Sequence, residues 1–106
     1  MKSFKIEDMV KGWFVGDFEP TAYRTSAAEV AVKHYRAGDT EPAHHHKIAT
    51  ELTIVISGVV KMAGKKWSVG DIVVMEPGER TNFEALTDAI NVVVKLPSVH
   101  SDKYVD

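Results

Sequence analysis

Apolar and polar positions along this chain alternate every second residue more often than they recur every third or fourth. Residues 52–56 (Leu, Thr, Ile, Val, Ile) alternate and are rich in β-branched side chains, which fit a pleated strand. Residues 30–36, 59–62, 65–67, 71–75, 82–85 and 90–96 read the same way. Ala63 and Gly64 separate two of these runs as a hairpin turn would. Ser57-Gly58, Val69-Gly70, Pro77-Gly78 and Thr87-Asp88 are further punctuation. Turn signals thus recur about every ten residues, the spacing of an all-β sandwich or closed barrel. The N-terminal part is mixed. Residues 6–10 suit one helical turn, 13–18 a strand and 21–28 a loop, while the polar tail 98–106 is expected to lie loosely on the surface.

Length and composition narrow the classes. A chain of 106 residues is expected to form a single domain over 1–106, with the barrel core at about 28–97. The net charge is −2 with acids and bases interleaved, so no basic stripe points to nucleic acid. No apolar run approaches the ~18 residues that span a bilayer, and no membrane partner is expected. Lys2, Lys5, Glu7 and Asp8 interrupt the N-terminus, which does not read as a signal peptide, and a cytoplasmic location is the expectation. Cysteine is absent, which excludes disulfides and thiolate metal sites. Any metal must be held by histidine and carboxylate.

The chain offers such a set. His44 and His46 stand two apart, a spacing that puts both on one side of a strand, whereas on a helix they would diverge by about 200°. Glu51 follows on what reads as an adjacent strand. Two neutral imidazoles and a carboxylate suit a divalent ion such as iron, zinc, manganese or nickel. His45 alternates to the other side. His34 shares a strand face with Val30, Val32 and Arg36. Arg36 is either an anchor for an anionic group or a surface ion-pair residue. His100, in the tail, is expected to face solvent. Trp13, Phe14 and Phe18 read as core or interface packing, and Trp67 as packing over the barrel rim. Leu52, Ile54 and Ile56 form a second apolar face that could meet another copy of the chain.

At this point the residues resemble a family, the cupins. Their first motif is Gly, five residues, His-x-His, three or four residues, Glu, six residues, Gly. Gly38, His44, His46, Glu51 and Gly58 fill every fixed position. The second motif matches in part: Gly70 and Gly78 fit, the proline is displaced to Pro77, and Thr81 and Ala85 stand where the family places a histidine ligand and an asparagine. The resemblance implies a cupin-type double-stranded β-helix, or jelly-roll barrel, that pairs as a homodimer. It implies a metal held by His44, His46 and Glu51, with open positions. Thr81 would hydrogen-bond a metal-bound water, and Phe83, on the same side by alternation, would line the pocket or pack in the core. His34 either replaces the missing ligand or is a hydrogen-bonded core or rim histidine. The family includes dioxygenases, decarboxylases and sugar isomerases, so the resemblance does not choose the reaction. The expectation is a barrel that binds or transforms a small molecule such as a sugar or organic acid. Two alternatives stand beside it, a non-catalytic ligand-binding or sensor barrel and a metal-free nucleotide-sugar isomerase or epimerase using histidine as acid and base.

Overall fold

The structure, a computed structural model, describes residues 1–105. A short 3-10 turn (Ile6–Asp8) precedes β1 (Trp13–Gly16), β2 (Tyr23–Arg24), β3 (Glu29–Tyr35), β4 (Thr40–His46), β5 (Thr50–Ser57), β6 (Val59–Met62), β7 (Lys65–Ser68), β8 (Ile72–Met75), β9 (Arg80–Ala85), β10 (Ala89–Leu96) and β11 (Lys103–Val105). One sheet has the order β2-β1-β3-β10-β5-β8 and the other β11-β4-β9-β6-β7. All pairings are antiparallel except β1 with β2. The chain is an all-β double-stranded β-helix.

Alternation decides what each strand contributes. In β10, Asn91 and Val93 are buried inside, and register aligns them with Lys33 and Ala31 of β3 and with Val55 and Thr53 of β5. Paired residues share a face, so these positions line the interior. One end of the interior is a packed apolar cluster of Val55, Val60, Met62, Phe83, Ala85 and Ala89, with Tyr35 and Trp67 against it. Burying a side chain the size of Phe83 or Met62 contributes about 1.5–3 kcal/mol. Trp67 is tied to the hairpin by a hydrogen bond from Nε1 to the Met62 carbonyl, 2.9 Å. The other end of the interior is polar.

Gly58, the last residue of the first motif, turns the chain from one sheet to the other. Its φ is +82°, and a Cβ there would lie 2.1 Å from the Asp88 carbonyl oxygen. Only glycine meets both demands.

Three local expectations are corrected. The loop expected at 21–28 contains β2, which pairs parallel to β1 through Val15 and Tyr23. The strand expected at 13–18 stops at Gly16. The tail expected to lie loosely is instead tied down. Ser98 and Asp102 are buried, and β11 extends the second sheet by pairing with β4. Position 106 of that tail lies outside the described residues. Among the described residues, no helix is long and apolar enough to cross a membrane.

Candidate metal centre

His44 and His46 come from β4 in the five-stranded sheet and Glu51 from β5 in the six-stranded sheet. The expectation of adjacent strands is corrected: the two strands follow one another in sequence but lie in different sheets, so the trio bridges them. One ligand atom from each residue lies within 4.8 Å of the others. The imidazole centroids are 5.3 Å apart at 75°, and Nε2 of His46 is 3.6 Å from Oε2 of Glu51.

The two rings are oriented by the backbone. Nδ1 of His44 lies 3.3 Å from the Pro42 carbonyl and Nδ1 of His46 3.1 Å from the Asp102 carbonyl. A carbonyl only accepts, so each Nδ1 carries the proton and donates. In a neutral ring with that proton on Nδ1, Nε2 keeps a free lone pair, the form a metal takes. Nε2 of His46 is buried without a hydrogen-bond partner among the described residues. A buried nitrogen of this kind, beside a carboxylate and a second imidazole, fits a divalent cation.

The short corner between the two sheets, Lys47 to Ala49, is held by one side chain. The Asp102 carboxylate accepts hydrogen bonds from the backbone N–H groups of Lys47, Ile48 and Ala49 at 2.9–3.2 Å. Burial opposes the Asp102 charge, but these donors outweigh it and hold its pKa below the ordinary value. Burial likewise opposes the charge on Glu51, and the neighbouring His46, Lys95 and His44 outweigh it, so its pKa is also lowered. His44 is pushed below the ordinary histidine value, first by burial, with Lys103 and His46 adding to the shift. The site therefore presents an ionised carboxylate and a neutral His44 near pH 7, the protonation states a metal requires.

The trio lines a cavity of about 220 Å³ with Tyr35, Glu41, Thr53, Thr81, Phe83 and Asn91 among its other walls. Glu41 enters it through an irregularity in β4. Thr40 and Glu41 pair with Glu84 and Phe83, but His44 pairs with Thr81, so β4 has one extra residue between Glu41 and His44. This bulge re-phases the strand and turns both odd-numbered Glu41 and even-numbered His44 inward. Pro42, which has no N–H to pair, sits in it. The Tyr35 hydroxyl donates to Oε1 of Glu41 at 2.9 Å. Burial, and then the Glu41 charge, raise the Tyr35 pKa, so the phenol stays protonated.

The remaining sequence candidates separate clearly. Thr81 and Phe83 line the cavity and are buried. The Thr81 hydroxyl is already engaged: it accepts from the Ala63 N–H at 2.8 Å and donates to the Asn82 carbonyl at 2.6 Å. His34 and Arg36 are exposed and line no part of this cavity, which corrects their candidacy. The valines misled: Val30 and Val32 belong to the outer face of β3, while the inner face carries Ala31, Lys33 and Tyr35. His45 stacks on Tyr104, 5.4 Å between centroids, on the far side of β4. His100 is largely exposed beside Asp17. Sequence reasoning missed Lys33 and Tyr35, whose i, i+2 spacing was a usable signal, and Asp102, for which no local signal exists.

No family model matches the chain, and no curated protein matches it. Solved structures do. A protein with a double-stranded β-helix domain from Klebsiella pneumoniae superposes with TM-score 0.70 at 24% identity, over 76% of this chain and 71% of the other. An RmlC-like cupin from Shewanella frigidimarina gives TM-score 0.64 at 18% identity, over 74% and 72%. The DMSP lyase DddQ from Ruegeria pomeroyi gives TM-score 0.72 at 17% identity, over 88% of this chain and 49% of that one, so the chain spans about half its length. The chain has the cupin fold.

Proposed function

We propose that His44, His46 and Glu51 bind a divalent metal and that the chain is a small metal-dependent enzyme acting on a small molecule held in the cavity. The observation that carries this reading is the convergence of the three ligand atoms within 4.8 Å, with Nε2 of His46 buried and without a hydrogen-bond partner among the described residues. Iron, manganese, nickel and zinc all accept two nitrogens and one carboxylate oxygen. A bound metal would act as a Lewis acid toward a ligand oxygen, at positions that three protein ligands leave open. The chain's own residues supply the rest. The carbonyls of Pro42 and Asp102 fix the proton on each Nδ1, Glu51 stays ionised, and the Tyr35 hydroxyl, donating to Glu41, holds that carboxylate at the cavity wall. Structures sharing the fold include a DMSP lyase and a sugar phosphate isomerase, which supports a small organic molecule as ligand.

A non-catalytic binding barrel is the second reading. It is favoured by the Thr81 hydroxyl, whose hairpin hydrogen bonds keep it from serving as a fourth ligand. Elemental analysis of the untagged chain, reconstituted in turn with iron, zinc, manganese and nickel, tests the metal. Stoichiometric uptake is expected in the wild type and its loss in His46→Ala. Failure of the wild type to retain any of the four metals would overturn the proposal. Turnover that survives chelation would instead point to metal-free acid-base chemistry.

A further inference from the structure

The chain carries a net charge of −2, yet the wall of the metal-site cavity is rich in positive charge. Lys11, Lys33, Lys95 and Lys103 all line it, against the carboxylates of Glu41 and Glu51. Glu41 accepts from the Tyr35 hydroxyl and Glu51 lies 3.6 Å from Nε2 of His46, so two carboxylates stand against four lysines. Lys95 reaches Glu29 outside the trio at 3.7 Å. Among the described residues, Lys11, Lys33 and Lys103 have no carboxylate within 4.0 Å. Nor are these lysines randomly splayed. The ammonium groups of Lys33 and Lys95 each lie 5.0 Å from the centre of the Trp13 ring, so one indole holds both against the cavity. Lys33 is half-buried. Its pKa is lowered, first by burial, with Glu41 opposing and Lys11, Lys103 and Lys95 adding to the shift.

Gathering like charges at a partly desolvated wall is unfavourable unless an anion joins them. A cleft whose walls carry an excess of one sign of charge, here four lysines against two glutamates, also concentrates ions of the other. We propose that the ligand of this cavity is a hydroxylated organic anion of sugar-acid or sugar-phosphate size. Its carboxylate or phosphate meets Lys33 and Lys103, and its uncharged end reaches toward His46 and Glu51. This rests on the metal-site reading for the uncharged end only. At about 220 Å³ the cavity falls below the ~300–1,000 Å³ of drug-sized pockets, which suits a ligand of this size.

The test uses three probes that differ only at one carbon: glucose, glucuronate and glucose 6-phosphate. Each is titrated by calorimetry into the full chain, both chelator-treated and zinc-loaded, at low salt and at about 0.5 M NaCl. At least one anionic probe is expected to bind about tenfold or more tightly than glucose, with the preference weakened by salt. Whichever anion binds more tightly identifies the headgroup as carboxylate or phosphate. Lys33→Gln with Lys103→Gln should abolish the preference, and Lys33→Arg with Lys103→Arg should retain it, while zinc uptake stays intact in both. Equal binding of all three probes, no binding of any, or a preference that survives the double glutamine variant would overturn the proposal. Loss of zinc uptake with the anion preference intact would sink the metal reading alone.

Discussion

The backbone carbonyl of Asp102 accepts a hydrogen bond from Nδ1 of His46, 3.1 Å away and 56 residues earlier in the chain. The same residue's carboxylate receives the N–H groups of Lys47, Ile48 and Ala49. One aspartate thus fixes both the ring of His46 and the corner that carries the chain to Glu51. Asp102→Ala leaves the buried Ala49 N–H and the part-buried Lys47 and Ile48 N–H groups without their acceptor. Hydrogen bonds to a charged group contribute about 1.5–3 kcal/mol, so the expected loss of stability is about 2–3 kcal/mol in urea unfolding. Zinc affinity should fall about 10–100-fold, the usual effect of disturbing a residue that orients a ligand. Because Asp102→Ala keeps the backbone carbonyl that accepts from His46, an unchanged affinity would show that the His46 ring is held without the carboxylate-bound corner.

The pH dependence of that contribution has a definite sign. The pKa of Asp102 is lower folded than unfolded, so its stabilisation is fully present above the unfolded value of about 3.9. It is lost as pH falls through the folded value. The stability difference between wild type and Asp102→Asn should therefore be constant near neutrality and shrink in acid. Urea unfolding of both proteins from pH 7 down to about pH 3 measures it. A difference that grows in acid would contradict the assignment.

Glu51 and the histidines lie on opposite sheets, so a metal at the trio would join them. Zinc should raise the wild-type melting temperature in proportion to the logarithm of its concentration, by the linkage between binding and folding. At 100 times Kd the expected gain is about 2.7 kcal/mol. Glu51→Gln keeps the shape and removes the charge, and the zinc-dependent rise should vanish. Persistence of the rise would move the metal elsewhere.

The outer face of the six-stranded sheet is the expected contact between two copies. Ile56, Ile72 and Val74 are 47%, 59% and 48% exposed, and β8 ends its sheet with an unpaired edge. Sedimentation should give twice the chain mass of 11.7 kDa, and Ile72→Lys with Val74→Lys should give the single-chain mass. A wild-type monomer at micromolar concentration would refute the pairing.

How much of this was legible in the sequence follows from how local each cause is. Most of the strands (not β2 or β11), the hairpin at Ala63-Gly64 and the glycine bracket around His44, His46 and Glu51 depend on neighbours within a few residues, and they could be read. The alternation in β3 marked Lys33 and Tyr35 as one face, but apolarity pointed to the wrong side as the interior. The strand's outer side carries valines and its inner side a lysine and a tyrosine, because the polar end of the cavity inverts the usual rule that apolar residues point inward. Glu41 was hidden by the bulge, which shifts the alternation by one residue. Asp102 acts across 53–56 residues, a relation that exists only once the tail has paired with β4.

That last relation also sets an order of events during synthesis. His46 and Glu51 emerge from the ribosome long before Asp102. Until residue 102 is free to dock, the turn between them has no carboxylate to gather its N–H groups, and the His46 ring has no fixed tautomer. The three ligands are translated by the middle of the chain, yet their site is among the last parts to mature, so a nascent chain stalled short of residue 102 would hold all three ligands and still be a poor trap for metal.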